Sequence, residues 1–286
     1  MKYFRLCFFL LLGAALFAAP GNRPPLRVVS QTVGTDELLL ALADPSQIEA
    51  LSHLAKDPAY SPVAMEAKKY PPLQTSDAES ILKFHPDLVL IASYTRAETK
   101  ALLQRAGVKL LSLDHFENLD DLFANTRAIG LALGHPDRAE TAIHDWKLRV
   151  ATLQAKLKGV RPVRVLAAST YPFTAGADTT FQDVCDHAGA LNVAAEAGLR
   201  GHQPTPTEKL LTWNIEALVA SGEDGSGDQG SGIVARLREL PSYKFLRAMK
   251  AGRVVLVSGP RMASTAQARL DAYEELARAL HPEIFK

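Results

Sequence analysis

One stretch limits this chain more than any other: residues Pro136 to Lys158, which the spacing predicts as a single long helix. Apolar side chains fall at Ala139, Ala142, Ile143, Trp146, Val150, Leu153 and Leu157. These three- and four-residue steps draw one stripe along a helix. Arg138, Glu140, Asp145, Lys147, Arg149 and Lys156 lie between them and can face water. Gly134-His135-Pro136 breaks the preceding helix and starts this one, since a first-turn proline gives up an N–H that had no partner. Gly159 and Pro162 end it. At 1.5 Å per residue the rod is roughly 34 Å long, the width of a small domain. It lies across one large domain or connects two. Similar strand-and-helix patterns on both sides favour a connector.

The first residues read as a leader and not as part of the fold. Lys2 and Arg5 precede the apolar run Leu6 to Ala19, which Pro20-Gly21 breaks. The run is too short for a stable membrane anchor and fits a secretory signal over residues 1–19, cut near Ala18 or Ala19. Cys7 lies inside the run and not behind a small residue at its end, so the pattern argues against a lipid anchor. The chain has 32 Lys and Arg against 31 Asp and Glu. Losing Lys2 and Arg5 leaves a net charge of about −1, which offers nothing to nucleic acid or to an anionic membrane. Cys185 is then the one remaining cysteine, so no disulfide can form within the chain. Its apolar neighbours mark it as a small buried hydrophobe.

Short β-branched runs are predicted as strands at Arg27–Ser30, Ile48–Ser52, Leu88–Ala92 and Val108–Leu113. After the connector they recur at Val163–Ala168, Glu216–Ser221 and Arg253–Ser258. Helices are predicted between them, among them Glu37–Ala43 with Thr35 or Asp36 as N-cap, Arg96–Ala106, Asn118–Leu133, Phe181–Ala188, Leu237–Ala251 and Ala266–Leu280. Ser76 and Glu79 form a capping-box pattern. Two segment pairs read as internal copies: Ile81 to Val89 against Leu210 to Leu218, and Ala106 to Leu111 against Ala251 to Leu256. Alternation of strands and helices predicts an α/β fold of two Rossmann-like lobes with mostly parallel sheets, joined by one long rigid helix. The predicted divisions are an N-terminal lobe at 27–117, a helical connector at 118–159 and a C-terminal lobe at 160–286. The stretch Gly222 to Gly232 is glycine-rich and polar and reads as a surface loop. It is not a calcium loop, because Gln229 and Ala235 occupy the positions that need glycine and glutamate.

No catalytic pattern stands out. The loop Gln31 to Asp36 has one glycine, which excludes a phosphate loop or a dinucleotide fingerprint. There is no HExxH, no serine elbow, and no histidine spacing suited to a bare metal. What remains are the loops at the carboxyl ends of strands, where open α/β sheets place their ligands. The first lobe offers Gln31, His53, Tyr60, Tyr94 and Arg96 there, and the second offers Tyr171, Phe173, Arg200, His202 and Arg261. Each alone is ordinary loop packing more often than a ligand contact. As facing sets they suit a large, flat, partly apolar ligand.

The chain resembles a family through Thr35-Asp36-Glu37-Leu38, Phe84-His85-Pro86-Asp87-Leu88-Val89, Pro172-Phe173-Thr174-Ala175-Gly176, Asp183-Val184-Cys185, Gly189-Ala190-Leu191-Asn192 and Ala251-Gly252-Arg253-Val254. It is similar to the helix-hinged periplasmic substrate-binding proteins of ABC importers for iron chelates and cobalamin, nearest the cobalamin-binding members. The likeness runs from about Arg27 to Leu280. It implies two lobes that close little around a clamped ligand, with Phe173 at a ligand-stacking position. His202 falls where cobalamin-binding members carry an aromatic, and Tyr94 is offset from another such position. The resemblance also implies that Glu98 and Glu208 dock onto arginines of a permease. Both carboxylates equally suit the first turn of a helix, where the dipole favours them.

The implied cargo is a metal-containing tetrapyrrole or similar chelate: cobalamin or a related corrinoid first, haem second, ferric siderophores third. His202, Tyr60 or Tyr94 would serve as axial ligand to its metal, and Arg96, Arg200 and Arg261 would suit an acidic siderophore. The implied partners are an ABC permease dimer and its ATPase, with membrane contact only through the permease. The implied state is a periplasmic monomer with no cofactor of its own and no enzymatic activity. A secreted two-lobe enzyme is the remote alternative.

Overall fold

The computed structural model describes residues 27–222 and 229–286, so the predicted leader at 1–19 and residues 223–228 of the predicted loop lie outside the described residues. Two four-stranded parallel sheets carry the fold. The first contains β1 (Val28–Ser30), β2 (Ile48–Ala50), β3 (Leu88–Ala92) and β4 (Lys109–Leu113), in the order β2-β1-β3-β4. The second is drawn from the strands β5 (Val163–Ala167), β6 (Phe173–Ala175), β7 (Ala190–Asn192), β8 (His202–Pro204), β9 (Ala217–Gly222) and β10 (Val254–Ser258). It uses the order β10-β9-β5-β7 and leaves β6 and β8 as a separate antiparallel ribbon.

Read from the other edge, the second sheet repeats the first strand for strand. β5 stands for β1, β7 for β2, β9 for β3 and β10 for β4. The sequence copies land on equivalent positions, Leu88 and Val89 beginning β3 and Ala217 and Leu218 beginning β9. All five residues of β3 are buried, as an apolar run in a central parallel strand should be. The paired glycines agree as well: Gly107 and Gly252 both precede an edge strand in the left-handed region, at φ 79° and 67°, which a side chain would strain.

The connector helix spans Pro136–Leu157, and Gly134, left-handed at φ 81°, caps the helix before it. Ala139, Ile143, Val150 and Leu153 are buried, while Ala142, Trp146 and Leu157 pack against the same core from partly buried positions. The preceding helix, Leu119–Leu133, lies so close that a Cβ built on Gly130 would come within 2.5 Å of the Ala139 Cβ. That helix also packs on Val33–Leu42 of the first lobe, so it belongs to that lobe's outer layer as much as to the connector. One apolar cluster then runs from Val28, Leu38 and Leu90 through Leu133, Ile143 and Val150 to Val165, Val184 and Leu276. The lobes share a core along the connector.

Several boundaries differ from expectation for physical reasons. The first helix begins at Val33 and not Glu37, because Thr32 is its N-cap and forms a capping box with Thr35. Asp36, predicted as a cap, is instead buried and accepts from Ser52 N at 2.9 Å and Ser52 Oγ at 2.5 Å. Asp77 and not Ser76 caps the helix Ala78–Leu82 by accepting from Ser80 N. The predicted helix Leu237–Ala251 is two helices, Gln229–Glu239 and Arg247–Lys250, and the first begins inside the stretch read as loop. The last helix starts at Arg269.

Candidate functional site

Three strand-end loops of the first lobe are tied together by one buried side chain. Gln31 Nε2 donates to Ser76 O at 2.7 Å, and its Oε1 accepts from Thr95 Oγ1 at 2.5 Å. This holds the β1, β3 and 75–77 loops around a cavity of about 590 Å³. His53, Tyr60, Tyr94 and Arg96 all line it, with Gln31, Thr32, Thr75, Ser76 and Asp77 supplying polar groups. Tyr60 and Tyr94 are largely exposed, and the Tyr94 ring stands edge-on to Phe116 at 6.0 Å. Among the described residues Arg96 has no carboxylate in ion-pair range, so its guanidinium is free to meet an acidic group on a ligand.

The second lobe closes the cleft from the other side with an apolar chamber of about 420 Å³. The ribbon of β6 and β8 builds one wall. Its register pairs Phe173 with Pro204 and Ala175 with His202, and alternation along each strand puts Phe173 and His202 on one face. Both line the chamber with Tyr171, Phe181 and Met262. Asn192 secures the ribbon by donating from Nδ2 to Ala175 O at 3.0 Å.

The two cavities meet at Ala263. The segment that carries it runs from the short helix Gly259–Met262 into Thr265; it belongs to the second lobe, yet its Pro260, Ala263, Ser264 and Thr265 line the first lobe's cavity. The sequence reading took only Arg261 from this segment and missed the neighbours that line the cavity, Pro260, Ala263, Ser264 and Thr265, which show no periodicity and carry small side chains. Their one signal was the partner glycine: a Cβ on Gly34 would fall 1.9 Å from Thr265 Oγ1.

Two of the predicted cleft arginines lie elsewhere. Arg261 lines neither cavity; it pairs with Glu275, with Asp271 at 3.8 Å, both on the helix Arg269–Leu280. Arg200 pairs with the exposed Asp178 at 2.5 Å and also lines neither. Each found a carboxylate on its own lobe, which loop position in the sequence does not reveal. Glu98 and Glu208 are exposed in the first turns of the helices Ala97–Arg105 and Thr207–Leu210.

A polar seam that begins in the wall of the first cavity, at Glu37 and Ser264, joins the lobes. Glu37, fully buried, accepts from Ser264 Oγ at 2.9 and 3.0 Å and from Ala268 N at 3.1 Å, while Gln267 Nε2 donates to Glu37 O at 3.0 Å. Arg269, also fully buried, donates to Phe116 O, Glu117 O and Ser264 O and pairs with Asp183 at 3.0 Å. Burial pushes the carboxyl of Glu37 up to about 8 and that of Asp36 to about 7, against the lowering pull of their hydrogen bonds. Cys185, equally buried, has its thiol pushed up by burial and is unsuited to nucleophilic chemistry. Among the described residues no cluster of three His, Cys, Asp or Glu could hold a bare metal ion, and no helix is long and apolar enough to cross a membrane.

Known proteins resemble this chain in sequence and in fold. A cobalamin-binding protein of Halobacterium salinarum is 24% identical over 267 residues, covering 90% of this chain and 70% of the relative. An uncharacterized ABC transporter substrate-binding lipoprotein of Bacillus subtilis is 24% identical over 227 residues, covering 73% of this chain and 67% of its own. The solved periplasmic haem-binding protein of Roseiflexus, in apo form, superposes with a TM-score of 0.77 at 23% identity, covering 90% of this chain and 98% of that one. The family model described as periplasmic binding protein matches residues 28–259. With its two duplicated lobes, its connector helix and a cleft walled by both, this chain belongs to the periplasmic binding protein family.

Proposed function

We propose that the chain captures a metal–tetrapyrrole in the cleft between its lobes and hands it to an ABC permease. The observation that carries this reading is the unlike chemistry of the two walls. Phe173, Tyr171, Phe181 and Met262 offer an apolar bed for a macrocycle face, and the opposite wall offers Gln31, Ser76, Arg96 and two exposed tyrosines for polar substituents. A corrinoid is the preferred cargo, supported by the name of the Halobacterium relative. Haem is the second reading, because Tyr60, Tyr94, His53 and His202 all reach the cleft as axial-ligand donors.

Glu98 and Glu208 are the proposed docking carboxylates, one per lobe. Delivery in the periplasm by a monomer released from its leader follows from the same reading, and the lipoprotein name of the Bacillus relative makes a lipid-anchored form the thing to exclude. The test is absorbance titration of the purified mature chain with cyanocobalamin, cobinamide, haemin and a ferric siderophore. A saturable shift with a corrinoid supports the reading, a Soret shift with haemin alone favours the second, and silence with all four rejects both.

A further inference from the structure

The connector helix is not the only tie between the lobes, and the other tie runs in the wall of the ligand cavity itself. Glu37 lies on the first lobe's helix Val33–Leu42, one turn on from Val33, and lines the cavity together with Val33, Gly34 and, from the second lobe, Ser264. Its carboxyl group reaches across to Ser264 Oγ and the Ala268 N–H of the second lobe, both in the turn that ends at Arg269. Ser264 Oγ is fixed in turn by the Ala266 N–H at 3.0 Å. The contact is buried on both sides, Glu37 at 0% and Ser264 at 4% exposure.

We infer that Glu37 is a positioning residue for ligand capture, a clip that sets the spacing of the two walls at the floor of the cleft. Three features support this. The residues just above the clip, Gly34 and Thr265, leave no room for even one extra methyl, so the walls meet there at a fixed distance. The groups facing Glu37 are few: Arg269 across the seam favours its charged form, Asp36 beside it opposes that form, and burial outweighs both. A raised carboxyl pKa keeps Glu37 neutral near pH 7, where it joins the lobes without placing a net charge in the cavity wall. Separating the lobes would expose or orphan the carboxyl, Ser264 Oγ and the Ala268 N–H together, which resists opening at this point. The inference rests on reading the cleft as the ligand site.

The test uses the ligand-free mature chain, spin-labelled at Lys69→Cys on one lobe and Lys209→Cys on the other; Cys185 is buried and does not label. The distance distribution between the labels is measured in the parent and in Glu37→Ala, Glu37→Gln and Ser264→Ala. The clip predicts a longer and broader distribution in Glu37→Ala, a smaller shift in Ser264→Ala, and a near-parental one in Glu37→Gln, whose amide oxygen still accepts. Apparent Kd for whichever chelate titrates then rises by roughly tenfold in Glu37→Ala, as the fraction of molecules at binding-competent spacing falls. A parental distribution in both Glu37→Ala and Ser264→Ala overturns the inference. Should Glu37→Ala fail to fold, Ser264→Ala alone decides it. Should no chelate bind, the ligand reading fails while the distances still judge the clip.

Discussion

Gly34 and Thr265 come from opposite lobes and touch so closely that a Cβ on the glycine would lie 1.9 Å from the threonine Oγ1 and 3.3 Å from its Cβ. Alanine at position 34 therefore forces the seam apart or turns Thr265. Gly34→Ala is expected to cost about 1–3 kcal/mol in urea unfolding, the usual range for overpacking. Adding Thr265→Ala, which removes the clashing oxygen, should recover most of it. Equal loss in the single and double variants would show that the contact is not the cause.

Stability should fall as the solution becomes more alkaline. Asp36 and Glu37 keep their protons in the folded chain up to about 7 and 8, whereas their ordinary values are 3.8 and 4.5. The stabilisation is fully present below those ordinary values and is lost as pH rises through the raised ones, at ~1.4 kcal/mol per pH unit for each group. Urea midpoints measured from pH 4 to 9 should decline and then level off. Glu37→Gln, which has no proton to lose, should flatten the upper part of the curve; an unchanged slope would exclude Glu37 as its source.

Arg269 is fully buried, and its guanidinium joins Asp183 to the carbonyls of Phe116, Glu117 and Ser264. Arg269→Met leaves Asp183 as a buried carboxylate beside Tyr273 and orphans three carbonyls. A loss of about 3–5 kcal/mol is expected by chemical denaturation, as for other buried pairs broken on one side. A loss below about 1 kcal/mol would mean that water takes the place of the guanidinium.

Ligand affinity should separate two residues that sequence position treats alike. Phe173→Ala removes a half-exposed ring from the apolar chamber and should weaken chelate binding by about 10- to 100-fold, a loss of ~1.4–3 kcal/mol. Arg261→Gln breaks a pairing with Glu275 outside both cavities and should leave affinity within about twofold. The reverse ranking in the same titration would place the ligand elsewhere.

Docking and capture should also come apart. A Glu98→Lys, Glu208→Lys double variant reverses two exposed carboxylates that line neither cavity. It should bind chelate normally in solution and fail to support uptake in cells that depend on it. Full uptake would remove the permease role from this pair.

Fold class was legible because the signals for it are local. The connector stripe, the apolar run Leu88 to Ala92 and the duplicated Gly107 and Gly252 each depend on neighbours a few residues away. His53, Tyr60, Tyr94, Arg96, Tyr171, Phe173 and His202 were placed at strand ends by topology alone, and the structure gathers them around one cleft. Arg200 and Arg261 failed the same reasoning, since Asp178, Asp271 and Glu275 compete for them through contacts no spacing encodes. The seam was illegible for a related reason. Glu37 and Ser264 stand 227 positions apart, and a glutamate in an amphipathic helix looks solvent-facing until a second lobe covers it.

A pair of tongs on a single pivot gapes with every thermal jolt, whereas jaws also pinned at their base behave as a rigid bowl. Here the connector helix supplies the pivot and the contacts of Glu37 and Arg269 supply the pin. Small-angle scattering profiles of empty and loaded protein should therefore nearly coincide. Emptying such a bowl requires an outside agent that grips both rims and pries them apart.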